Sequence, residues 1–240
     1  VIDITTKIAP TMRDVCEQED PVAYVKDVTR GGTEIGDIDE IAENSWEAHR
    51  NHSKPWFLTP VDLQAVKAAG VTFVVSLLER VIEEQARGAP GKAASIREDI
   101  GRLIGQDLTS LRPGSKEAEN VKKLLIERNV WSQYLEVGIG PYAEIFTKAQ
   151  PLSAVGFRAH IGVLAESTWN NPEPEVAIVV SSSGKAVGAT LGNDVNLRDM
   201  EGRSALLLSK AKDNNASCAL GPFIRLFDKG YTMDDVRSAD

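Results

Sequence analysis

The stretch EPEVAIVVSSSGKAVGATLGND, residues 173–194, constrains the fold more than any other part of the chain. Apolar and small residues alternate on both sides of a polar SSSG turn, which reads as an antiparallel β-hairpin. With Ser181 opposite Gly184, Glu175 faces Thr190, Ala177 faces Gly188 and Glu173 faces Gly192. Residues two apart on a strand share a face, and directly opposed residues point to the same side. One face then carries Val176, Ile178, Val180, Val187, Ala189 and Leu191, and is expected to enter the core. The other carries Glu173, Glu175 and Ala177 with Gly188, Thr190 and Gly192, and Asp194 follows just beyond the strand. Its missing side chains leave room above a floor rimmed by three carboxylates.

Two carboxylates on one strand face lie about 7 Å apart at Cα, close enough for both to reach one cation. Carboxylate oxygens with an open, wet side suit a hard divalent ion, Mg2+, Mn2+ or Ca2+, better than zinc, which favours Cys and His. Spacing alone leaves a second reading open, a solvated strand end with acidic side chains. A register slip of one residue would also scatter the set.

The stretch before the hairpin has a helical texture. Val74, Leu77, Leu78 and Val81 recur at i, i+3, i+4 and i+7, and Gly88 with Pro90 ends the pattern. Ile96, Ile100, Leu103 and Ile104 repeat it. Ser115 is placed to cap a third helix, with Glu117 and Glu119 in its first turn and Val121, Leu124 and Leu125 on its buried face. After Trp131 the runs AEIFTKAQ, SAVGFRAHIGVLAES and GPFIRLFD are short, apolar and separated by turn residues, as strands are. The expectation is an α+β protein, with a small N-terminal segment over residues 1–55 and the main domain over 56–240.

Charge and cysteine usage narrow the partners. The 240 residues hold 27 Lys and Arg against 35 Asp and Glu, a net charge of −8 that argues against a nucleic-acid footprint. No run approaches the roughly 18 apolar residues of a membrane span. The opening VIDITTKIAP lacks the pattern of a secretory signal. Cys16 and Cys218 form neither a disulfide framework nor a metal-site spacing. The expected setting is cytoplasmic, with reduced thiols and neither nucleic acid nor membrane as partner.

The segments WSQYLEVGIGPYAEIFTKAQ, WNNPEPEV, TLGNDVNLRD, EGRSALLLSKAKDNNASCALGP and FIRLFD, taken together, resemble the fumarylacetoacetate hydrolase family, and most of all its sugar-acid dehydratase branch. The resemblance spans roughly residues 56–240. It implies a mixed β-sandwich and β-roll core with peripheral helices, continuing in the family well past residue 240, so that part of the fold is expected to be missing here. It implies metal ligands at Glu173, Glu175 and Asp194, for Mg2+ above all and Mn2+ or Ca2+ as alternatives. It also implies an active-site lysine at Lys212, an acidic residue at Glu144, and substrate contacts at Lys148, Arg198 and Glu201. Glu201 departs from the hydrolases, which commonly carry an amide there. Lys148 and Arg198 also fit as structural partners of the acid cluster.

The implied activity is dehydration of a 2-keto-3-deoxy sugar acid to 2-ketoglutarate semialdehyde by a homo-oligomeric enzyme. Lys212 and Glu144 are the candidates for base and acid, in either order. Two alternatives stay open, a C–C bond hydrolase of a diketo acid and an inactive metal-binding subunit. The family's hydrolases need a His–Glu pair, and neither His49, His52 nor His160 lies in a matching motif.

Overall fold

A computed structural model describes residues 1–70, 79, 81, 82, 91, 94, 95, 97, 98, 111–127, 129, 131 and 133–239. The chain divides into two compact units, residues 1–67 with 147–240, and residues 68–146. Among the described residues no helix is long and apolar enough to cross a membrane.

The first unit is built around a three-stranded antiparallel sheet. Ala186–Asp194 runs in the middle, between Pro174–Val180 and Cys218–Leu226. The hairpin turn closes with Ser181 N donating to Lys185 O, and Gly184 N donating to Ser181 O, both at 2.9 Å. Gly184 sits at φ +81°, a left-handed conformation that a residue without Cβ adopts freely. Ser181 therefore faces Lys185, not Gly184, and the register starts one residue away from the expected one.

A bulge between Val179 and Val180 moves it by one more. Glu175 pairs with Gly192, Ala177 with Thr190 and Val179 with Gly188, in place of the expected partners Thr190 and Gly188 for the first two. Two single steps make an even shift, and an even shift keeps each side chain on its face. The carboxylate end of the hairpin thus keeps the expected grouping although every pair in it changed.

The expected core face forms only in part. Val187 and Ala189 are buried and Ile178 is half-buried, but Val176, Val180 and Leu191 are exposed by 45%, 50% and 63%. Val179, Gly188 and Thr190, on the side that carries the carboxylates, are buried as well. Cys16, Val179 and Val187 pack with Met12 and Ile224. Nearer the acidic end, Ala149, Cys218 and Leu220 pack with Val61, Val66, Ala154 and Ala177. The floor is also fuller than expected: a Cβ on Gly192 would lie 3.3 Å from Leu220 Cδ2, so a neighbouring side chain already fills that space.

Residues 1–67 share a unit with this sheet. The ties are specific. Thr11 caps helix Met12–Cys16 through a capping box with Asp14, and that helix delivers Cys16 to the core. Asp62 accepts from the first free amides of the same helix, Met12 N at 2.7 Å and Arg13 N at 3.1 Å. Glu17 holds the hairpin turn, accepting from Ser182 N at 2.9 Å and Ser182 Oγ at 2.7 Å. Helices Pro21–Val28 and Ile38–Asn44 start at Asp20 and Asp37, whose side chains accept from their first turns.

Of the expected strands, Ile145–Ala149 and Cys218–Leu226 form, and the former pairs with Val66–Ala69. Residues 153–167 do not form a strand beyond one bridge from Val155 to Ala219. Close backbone approaches take the place of a ladder there: a Cβ on Gly156 would meet Leu58 C at 2.4 Å, and one on Gly162 would meet Asn215 O at 2.0 Å.

In the second unit, helix Lys116–Glu127 begins where expected, with Ser115 Oγ accepting from Ala118 N at 3.1 Å. It buries Ala118, Val121 and Leu125, while Leu124 is half-buried. Helix Gln133–Ile139 buries Leu135 and Ile139, and an ion pair from Lys122 to Glu136 ties the two helices. Val81 is helical and buried, but Val74, Leu77, Leu78, Ile96, Ile100, Leu103 and Ile104 lie outside the described residues.

Candidate metal centre

The three carboxylates expected to converge do so. Glu173, Glu175 and Asp194 each offer an oxygen within 4.8 Å of the other two. The backbone sets this. Asp194 ends the central strand, Glu175 sits in the edge strand, and Glu173 immediately precedes that strand. Asp194 N donates to Glu173 O at 2.9 Å, and Glu173 N donates to the Asn193 side chain at 3.0 Å. Pairing of Asn170–Asn171 with Asn196–Leu197 continues the hold one step further.

Two buried lysines face the same cluster. Lys212, at the end of helix Leu208–Lys212, donates to Glu173 Oε2 at 2.5 Å and to Asp194 Oδ2 at 3.0 Å. Lys148 is 1% exposed, and its Nζ lies 3.3 Å from Asp194 Oδ1. The same ammonium donates to Val195 O and Ser217 Oγ, each at 3.0 Å, and to the main-chain oxygen of Lys212. An ammonium has three hydrogens. Those contacts and its burial place Lys148 beneath the centre.

The charges explain the titration of the group. Burial would lower Lys212, but Asp194 and Glu173 together outweigh it and hold the ammonium above the usual lysine range. Lys148 is pushed down by burial, with Asp194 opposing. Glu175, exposed over much of its surface, has a carboxyl end enclosed enough to be pushed up, first by that burial and next by the charge of Asp194.

A hard divalent cation fits these residues. The donors are all carboxylate oxygens, which suit Mg2+, Mn2+ or Ca2+. Asp194 Oδ1 is buried and accepts no hydrogen bond, with the Lys148 ammonium 3.3 Å away as its ion-pair partner, so it keeps acceptor capacity toward a cation. Glu175, titrating high among like charges, gains from the same partner.

The other expected site residues fall as follows. Arg198 opens helix Arg198–Glu201 and lies over the Trp169 ring, 5.6 Å from its centroid. Glu201, at the end of that helix, accepts from Asn196 Nδ2 at 2.6 Å. Glu144 belongs to the second unit, where its main-chain oxygen accepts from Gly70 N at 2.9 Å. Three residues of the centre have no counterpart in the sequence reading: Asn193, Asn196 and Ser217. The two asparagines were visible as polar residues flanking Asp194 in GNDVN, an unusual density of amides at the end of a core strand.

The fold is that of a class of solved sugar-acid dehydratases. The apo form of 2-keto-3-deoxy-D-arabinonate dehydratase superposes with a TM-score of 0.52 at 22% identity, covering 87% of this chain and 57% of that one. In sequence, the chain is 40% identical over 119 residues to the 2-dehydro-3-deoxy-D-arabinonate dehydratase of Saccharolobus solfataricus, 48% of this chain and 39% of that protein. It is 39% identical over 98 residues to the "Probable 2-keto-3-deoxyxylonate dehydratase" of Haloferax volcanii, 41% of this chain and 34% of that protein. No family model matches. The chain thus matches well under two thirds of each relative's length, and its resemblance to sugar-acid dehydratases is present in both sequence and fold.

Proposed function

We propose that this chain carries the metal centre of a dehydratase of the fumarylacetoacetate hydrolase type, acting on a 2-keto-3-deoxypentonate. The observation that carries the reading is the convergence of Glu173, Glu175 and Asp194 on one point, with Lys212 donating to two of them. The names of the sequence relatives, both pentonate dehydratases, support the substrate class. The finer architecture of a β-sandwich and β-roll core belongs to the same proposal.

Glu173, Glu175 and Asp194 would hold the cation, Mg2+ first. Bound there, it supplies Lewis-acid stabilisation for the oxyanion that develops when a 2-keto acid loses a C3 proton. The residues of the chain do the rest. Lys212 Nζ takes the C3 proton once its hold on Glu173 and Asp194 is loosened, because an ammonium kept charged by two carboxylates is no base. Glu144, in its protonated form, gives a proton to the leaving C4 hydroxyl. One water departs and leaves a C3=C4 double bond conjugated to the ketone; loss of a C5 proton and return of one to C3 then give an enol at C4–C5, which ketonises to 2-ketoglutarate semialdehyde. Arg198 binds the substrate carboxylate, and Glu201 accepts from a substrate hydroxyl. Asp194 is kept in place from below by Lys148.

The C–C hydrolase reading gains nothing from the described residues. His49 and His160 are 63% and 70% exposed and lie beside Glu43 and Glu47 at 3.8 and 3.9 Å, as surface pairs. The deciding experiment offers the protein, with Mg2+ or Mn2+, 2-keto-3-deoxypentonates and acylpyruvates, and follows products by mass spectrometry. A product lighter by one water supports the dehydratase. Cleavage to pyruvate overturns it in favour of the hydrolase, and binding of Mn2+ without turnover overturns it in favour of an inactive subunit.

A further inference from the structure

Asn196 is 0% exposed and lies two residues beyond Asp194, in the short strand that pairs with Asn170–Asn171. Its amide nitrogen donates to Glu173 Oε1 at 3.2 Å and to Glu201 Oε2 at 2.6 Å. A side-chain amide has two N–H donors, and here each has its own carboxylate. Its carbonyl oxygen is buried and accepts no hydrogen bond. An amide sealed from water with half of its capacity unmet is unfavourable for folding alone. Its donors are satisfied only by carboxylates, one of them in the metal cluster.

The terminal torsion of a glutamate is broad, so two oxygens need two partners to fix the plane of the carboxylate. Glu173 has them: Lys212 on Oε2 and Asn196 on Oε1. The Lys212 ammonium is shared, since it also donates to Asp194 Oδ2. Asn196 sits on a strand and reaches Glu173 with a planar amide. Glu201, on the far side of the same amide, is thereby joined to the cluster through one bridging side chain.

We propose that Asn196 is a positioning residue. It sets the plane of the Glu173 carboxylate toward the cation and fixes Glu201 at a defined distance from it. The proposal rests on the reading of the triad as a cation site. A bridge whose only part was to tie helix Arg198–Glu201 to the strand would leave cation affinity unchanged when removed.

The experiment titrates Mn2+ into the metal-free protein and follows free and bound Mn2+ by electron paramagnetic resonance, with melting of the metal-free proteins as a control. Loss of an outer-shell partner weakens metal affinity about 10- to 100-fold. Asn196→Ala is expected to weaken Mn2+ by at least about tenfold and to broaden the spectrum of the bound ion. Asn196→Ser, which keeps one shorter donor, serves where the alanine variant does not fold, and is expected to fall between. Wild-type affinity and spectrum in a folded variant overturn the proposal while leaving the metal centre intact. No Mn2+ binding by the wild type overturns the centre, and this proposal with it.

Discussion

Lys148 and Lys212 grip Asp194 from opposite sides, with Nζ of the first 3.3 Å from Oδ1 and Nζ of the second 3.0 Å from Oδ2. Lys148 also donates to the main-chain oxygen of Lys212, so one buried lysine fixes both the acid and the backbone that carries the other lysine. The two lysines therefore have different tasks. Lys212 reaches the ligand oxygens of Glu173 and Asp194, and Lys148 holds the frame.

Lys148→Met is expected to destabilise the protein by about 3–5 kcal/mol, because it strips a buried charge pair of one partner and orphans the oxygens of Val195 and Lys212. Urea denaturation of wild type and variant, without metal, measures it. A loss within about 0.5 kcal/mol would show Lys148 to be an ordinary surface-type residue.

Lys212→Met is expected to separate chemistry from metal binding. Dehydration should fall by about 100- to 10,000-fold, the usual contribution of a general acid or base. Mn2+ affinity should stay equal or rise, since a positive charge leaves the ligand shell. A parallel loss of both would mark Lys212 as part of the cation-holding frame instead.

Glu175 gives a pH test with a definite sign. Its carboxyl is pushed up in the folded protein, so its contribution to stability is fully present below the unfolded value and is lost as pH rises through the folded one. At pH 7 without metal, Glu175→Gln should therefore be more stable than wild type, and below pH 4 the two should converge. Urea midpoints in EDTA at the two pH values check this. Mg2+ at a hundred times its dissociation constant should stabilise wild type by about 2.7 kcal/mol and the variant by much less.

Cys16 and Cys218 are buried, and burial pushes both thiols up to about 11. At pH 8 about one in a thousand is a thiolate, so an aromatic disulfide reagent should react only as the protein unfolds. Rapid labelling of the native protein at either position would contradict the packing of Cys16 against Val179 and Val187, or of Cys218 against Ala149 and Leu220.

Much of the centre was legible in the chain as written. The alternation around SSSG defined a hairpin, and local chemistry at Ser115 defined where a helix starts, because turns and caps depend on neighbours in sequence. Glu173, Glu175 and Asp194 could be grouped because strand periodicity is two, and the two single-residue errors in register added up to an even shift that kept the carboxylates on one face. The core face was misread for a related reason. Alternation separates two faces of a strand, but it does not say which one the helix at Met12–Cys16 and the strand at Cys218–Leu226 will cover. Val176, Val180 and Leu191 look as apolar as Val187 on the same face and Val179 on the other, and only packing tells the exposed from the buried.

Sequence by itself determined the hairpin, the acidic grouping and the charge class of the ion it suits, since each follows from residue type at short spacing. Tertiary structure alone decided that Lys148 lies buried under Asp194, that Asn196 bridges Glu173 and Glu201, and that Lys212 is held charged. Those contacts join residues 5 to 64 positions apart, and they depend on burial, which no local pattern encodes.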